Sequence, residues 1–120
     1  MSRLHRDASH MLNRSAVVVQ PAQPFLDWLH KADPTSSNLG LADLRHESSI
    51  DLLPLTDSLD DADRLLRHCF DTIFTAELDG WLRDPFCWPT KRTYQMFRMW
   101  FEYTYHSVLV DLDQADLFYD

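Results

Sequence analysis

Residues 58–80 read SLDDADRLLRHCFDTIFTAELDG. Apolar side chains at Leu59, Ala62, Leu65, Leu66, Cys69, Phe70, Ile73 and Leu78 recur at the 3.6-residue period, so this stretch is expected to be an amphipathic helix. Ser58 stands where an N-cap belongs. Asp60, Asp61 and Asp63 crowd the end of the helix where the macrodipole is positive, which gives these acids a structural explanation. Gly80 is the expected C-terminal stop, and Asp84 before Pro85 works against resumption of the helix. A helix with one apolar stripe must bury it on another layer, and the flanking sequence supplies that layer.

Upstream, Ala16–Gln20 (AVVVQ) is short and β-branched, as a buried strand is. Pro21 and Pro24 end it. Pro24 suits the first turn of a helix through His30, with Phe25, Trp28 and Leu29 as its apolar stripe. The run DPTSSNLG (33–40) is turn-forming, and LADLRHE (41–47) has the length of a single helical turn. Ser48–Leu55 alternates as a second strand, with Ile50 and Leu52 on one face and Leu53 and Leu55 on the other. Pro54 cannot donate to a ladder and points to an edge position or a strand terminus. Downstream, Thr90 is positioned to cap a third helix bearing Tyr94, Phe97, Trp100 and Phe101, and Glu102–Leu112 alternates as a last strand.

The expected fold class is α+β: a two-layer sandwich of a small three-stranded sheet with three helices, in the order β-α-β-α-α-β. Strand order is left open by the sequence. An open sheet of three strands has two free edges, to be covered by the tails or by a second chain, which suggests a homodimer. Residues 1–12 are polar and without period and are expected to form a loosely ordered tail, leaving 13–120 as one domain; Met11 offers an alternative start.

The 120 residues are 45% hydrophobic and hold only two glycines, which excludes disordered and low-complexity classes. No apolar run reaches the roughly 18 residues of a membrane span, and the first residues lack the apolar core of a secretory signal, so a cytoplasmic protein is expected. The formal charge of −8 disfavours generic binding to nucleic acid or anionic membranes; the densest basic group, Lys91, Arg92 and Arg98, is set among aromatics. Cys69 and Cys87 lack the spacing of a zinc site and are expected as free thiols, with no metal and no cofactor.

Three segments, NRSAVVVQPAQPFLDWLH (13–30), ELDGWLRD (77–84) with WP at 88–89, and MFRMWFEYTYHSVLVDL (96–112), resemble a family of small acidic bacterial proteins to which no activity is attached. The resemblance covers most of Asn13 to Leu112 and places Met11 near the family's start. It implies a bacterial source and carries over no catalytic or binding residue.

Candidate chemistry therefore rests on side chains alone. Ser107 beside His106 with Glu102 upstream, and Cys87 with a distant histidine, are the nucleophile–base combinations available; strand neighbours point apart, and no nucleophile elbow accompanies them. Gly40 and Gly80 lie too far apart to cradle a phosphate. Asp111 and Asp113 fall opposite His106 on the last strand, so the three do not converge on a metal. The aromatic inventory is the distinctive feature. Trp81 and Trp88 flank the irregular LRDPFC, which either folds over the core as a lid or presents Trp81, Phe86 and Trp88, rimmed by Asp79 and Asp84, to a basic protein partner or a second copy. A non-enzymatic interaction module is the leading expectation. The alternatives are a small enzyme or ligand-binding domain with Trp100, Glu102 and His106 in one cleft, and an acidic DNA mimic using Asp57, Asp60, Asp61 and Asp63.

Overall fold

Val17 and Val19 have no exposed surface, and the strand that carries them lies between two others. In the computed structural model, which describes residues 11–46 and 48–119, β1 (Arg14–Pro21) is the central strand. It pairs antiparallel with β2 (Ser49–Pro54) on one side and β3 (Phe101–His106) on the other, giving the order β2-β1-β3. Because side chains alternate across a strand, Ser15, Val17, Val19 and Pro21 are buried on one face. The helices lie on that face: α1 (Gln23–Ala32), α2 (Leu41–Arg45), α3 (Leu59–Trp81) and α4 (Tyr94–Trp100). The architecture is α+β with a three-stranded antiparallel sheet, and the single turn at 41–45 makes four helices among the described residues, three of them seven residues or longer.

The expected helix over 59–78 forms and is capped as anticipated, the Ser58 hydroxyl accepting from the Asp61 amide at 3.1 Å. It runs on through Gly80 to Trp81, however, and no glycine adopts positive φ. Gly80 is thus an ordinary helical residue, and a Cβ there would meet nothing within 4 Å. The third long helix starts later than its sequence suggests. Thr93 is the cap, its hydroxyl accepting from the Met96 amide, because Arg92 is drawn away by Asp71 and by the Pro89 carbonyl and keeps 90–93 out of the helix.

The last strand is shorter than Glu102–Leu112. Phe101 opens it, and it ends at His106; beyond, Val110 makes only an isolated bridge to Met11, and the Leu12 amide donates to the Leu109 carbonyl. Met11 and Leu12, placed in the tail by their sequence, are therefore paired, while residues 1–10 lie outside the described residues. β2 is an edge strand, in keeping with Pro54, and buries Leu53 while Ile50 and Leu52 face outward. No helix among the described residues is long and apolar enough to cross a membrane.

Aromatic rings fill the space between the layers. Phe97 of α4 lies 5.0 Å from Phe101 of β3 and 6.2 Å from Phe74 of α3, and Phe25 of α1 packs edge-on to Trp100. Each of these phenylalanines is fully or almost fully buried. Replacing Phe97 with Ala should cost roughly 3–5 kcal/mol in chemical denaturation, whereas Ile50→Ala on the outer face should stay within about 0.5 kcal/mol.

Candidate functional site

The aromatic segment after α3 is built by its short polar side chains. Asp84 caps the 3₁₀ turn Pro85–Cys87: its carboxylate accepts from the Phe86 amide at 3.1 Å, and its carbonyl accepts from the Cys87 amide at 3.0 Å. Pro85 supplies the fixed φ of the first turn position. Two indoles then fasten the turn to the helical layer. Trp88 donates from Nε1 to the Leu82 carbonyl at 2.7 Å, and Trp28 of α1 donates from Nε1 to the Cys87 carbonyl at 3.0 Å. Just beyond, Arg92 binds both carboxylate oxygens of Asp71 on α3 and donates to the Pro89 carbonyl.

This arrangement separates the residues singled out in the sequence. Trp81 and Trp88 are half-buried and pack against the core. Phe86 is 98% exposed at the turn's tip. Asp84, whose carboxylate accepts from the Phe86 amide, is exposed beside it, and Asp79 and Arg83 are exposed as well. Local desolvation, and after it the Asp84 carboxylate, push the Cys87 thiol up, the reverse of what an activated nucleophile needs. Both cysteines are free.

The cleft expected from Trp100, Glu102 and His106 does not assemble. The Trp100 ring packs on Phe25 and Phe74 within the helical layer, while Glu102 and His106 are exposed on the outward side of β3. The physical reason is the β3 register: Tyr103 and Tyr105 occupy the inward positions, leaving the even-numbered residues outside. The imidazole of His106 instead lies 2.9 Å from the Thr104 hydroxyl. His106 and Ser107 do reach a different cavity, of about 270 Å³, lined also by Ser15, Ser58 and Tyr105 at the start of α3.

Nor do the acids of α3 form an array. Asp61 pairs with Arg64; Asp63 pairs with Arg67 and accepts from the Tyr94 hydroxyl, and successive positions on a helix are turned by about 100°. Among the three basic residues noted in the sequence, Arg92 is committed to Asp71, and Arg98 stands over the Tyr94 ring.

Sequence reading missed a second polar centre between β2 and α3. Glu77 is pushed up to about 7, chiefly by burial, against which the hydrogen bond from the Ser49 hydroxyl pulls down. Asp51 is also raised by burial, and its Oδ2 is buried with no hydrogen-bond partner among the described residues. Cys69 beside them is raised first by burial and then by the Asp51 charge. The signal was present: Glu77 continues the Leu66, Cys69, Ile73 stripe, and Asp51 alternates in phase with Leu53.

The chain matches no family model, no curated protein and no solved structure.

Two outcomes follow from these contacts. Trp88→Ala should lower stability by roughly 2 kcal/mol through lost packing and an orphaned Leu82 carbonyl, while Phe86→Ala should leave the denaturation midpoint unchanged. Glu77 has a folded value near 7 against an ordinary 4.5, so it holds more protons folded than unfolded in that window. Its contribution is full below about 4.5 and is lost as pH rises through 7. Glu77→Gln should therefore flatten the fall in melting temperature between those values and stabilise the protein at pH 8 by on the order of 1 kcal/mol.

Proposed function

We propose that this chain is a non-enzymatic protein-interaction module that engages a basic partner through Phe86, rimmed by Asp79 and Asp84. The observation that carries the reading is a large aromatic side chain, 98% exposed, on a turn whose backbone is fastened by two indole hydrogen bonds. Water-exposed phenylalanine gains nothing for the monomer, and a fastened turn loses little conformational entropy when a partner closes on it. The chain's net charge of −8 and the Asp84 carboxylate beside Phe86 favour a basic counterpart and speed its approach. Trp88 contributes by holding the turn rather than by contact, and Trp81 packs against the core. The resemblance to small acidic bacterial proteins, with a cytoplasmic setting, belongs to the same reading.

A second reading is favoured by one observation, the cavity of about 270 Å³ that His106 shares with Ser15, Ser58, Tyr105 and Ser107. It would make the chain a small ligand-binding domain, with His106 at its wall.

The two readings separate in one experiment. Full-length protein and its Phe86→Ser and His106→Ala variants are used to co-purify partners from cells, and the recovered partner is titrated by calorimetry. The interaction reading expects the partner to be held by wild type and His106→Ala, to be weakened at least tenfold by Phe86→Ser, and to bind less tightly as salt rises. The same partners bound equally by wild type and Phe86→Ser would overturn it.

A further inference from the structure

Helices α2 and α3 border a groove of about 680 Å³ that plays no part in either reading above. Glu77, Gly80 and Trp81, at i, i+3 and i+4, share one face of the last turns of α3 and line it. Ala42, Asp43 and His46 of α2 and its C-cap, with Leu39 just before that helix, supply the rest of the wall. Gly80 is the residue that folding does not explain. Its φ is not positive, and a Cβ there would meet nothing within 4 Å, so neither a left-handed turn nor a close approach requires glycine. A helical glycine destabilises relative to alanine, and what it leaves here is an open wall in the groove.

We propose that this groove binds a small organic cation, an aliphatic amine or guanidine whose charged groups are held by Glu77 and Asp43 and whose chain lies along Leu39, Ala42 and Trp81. The acids select the sign. No Lys or Arg among the described residues lines the groove, and neither Glu77 nor Asp43 belongs to an ion pair formed among them. Glu77 accepts from the Ser49 hydroxyl at 3.3 Å, and Asp43 accepts through Oδ2 from the Gly40 amide at 2.8 Å. A carboxylate offers about four acceptor sites, so each acid is fixed in place with capacity left for an N–H donor.

Size and wall chemistry make the cation organic. No three His, Cys, Asp or Glu side chains among the described residues converge as a metal ion needs, and the groove falls within the roughly 300–1,000 Å³ of small-molecule sites. Leu39, Ala42 and the Trp81 indole suit methylene groups, and the face of an indole attracts an ammonium or guanidinium. Occupancy also has a proton signature. Burial pushes Glu77 up to about 7, the Ser49 hydroxyl pulling down and the Asp51 charge of β2 pushing up, while Asp43 and His46 share the groove with it. A cation favours the ionised carboxylate, so binding near pH 7 releases part of a proton.

The chain has two glycines, and both report on this groove: Gly80 lines it, and the Gly40 amide donates to Asp43. Full-length protein labelled with nitrogen-15 at glycine alone is titrated with cadaverine, with agmatine, and with pentane-1,5-diol as a neutral match for cadaverine, and the titrations are repeated by calorimetry in two buffers of different ionisation heat. Both amide signals should shift with the amines at millimolar concentration, and the diol should bind at least tenfold more weakly. Glu77→Gln should weaken the amines at least tenfold and abolish the proton release. Gly80→Leu should keep or raise the melting temperature while abolishing binding, because its side chain enters the groove. Asp60→Asn removes the same charge from the far end of α3 and should leave binding within about twofold. Amines that shift neither glycine, a diol that binds as well as cadaverine, a folded Gly80→Leu that still binds, or equal weakening by Asp60→Asn and Glu77→Gln would each overturn the proposal. If Glu77→Gln fails to fold, Gly80→Leu decides.

Discussion

The ring of Phe97 holds the two layers together. It is fully buried and lies within about 6 Å of Phe70, Phe74, Tyr94, Phe101 and Tyr103, which belong to α3, α4 and β3. A small domain buries a modest fraction of its surface, and here aromatic rings, with more area per residue than aliphatic ones, make up the difference. Once Phe97 and Phe101 are fixed, the direction in which β3 leaves α4 is fixed too. That direction sets which β3 residues face outward, and it is why His106 and Trp100 end on different sides of the sheet.

The same packing positions the aromatic turn. Trp28 and Trp88 have their rings against the core and their N–H groups aimed at loop carbonyls, so one side chain buries area and orders backbone at once. Asp71 and Arg92 fix the far end of the segment to α3. Phe86 remains outside because the 3₁₀ turn that Asp84 caps directs it away from the layer. The half-buried carboxylates of Asp51 and Glu77 show a different balance: β2 is an edge strand, and the gap between it and α3 admits ionisable groups.

Where a residue's neighbours in sequence decide its conformation, the reading from sequence was sufficient. The stripe on α3 apart from the exposed Leu59, the Ser58 cap, the turn at 41–45, the free cysteines and the edge position marked by Pro54 are local matters, and they stand as read. Where a distant partner intervenes, it was not. Thr93 replaces Thr90 as the cap because Asp71, twenty-one positions before Arg92, holds that guanidinium. Gly80 stays helical, with Trp81 after it packed on the core, and β3 stops at His106 although β1 continues two residues past Ala16 in its pairing with β2. The split between Trp81, Trp88 and Phe86 could not be foreseen, since all three lie beside irregular backbone and only the partner of each ring distinguishes them.

Sorting of the aromatics is the central claim, and fluorine NMR tests it directly. The seven phenylalanines would be replaced by a fluorinated analogue and exposed to a soluble paramagnetic agent. The account predicts that Phe25, Phe74, Phe97 and Phe101 keep their line widths while Phe86 is broadened strongly. A protected Phe86, or broadening shared evenly by all seven, would contradict it.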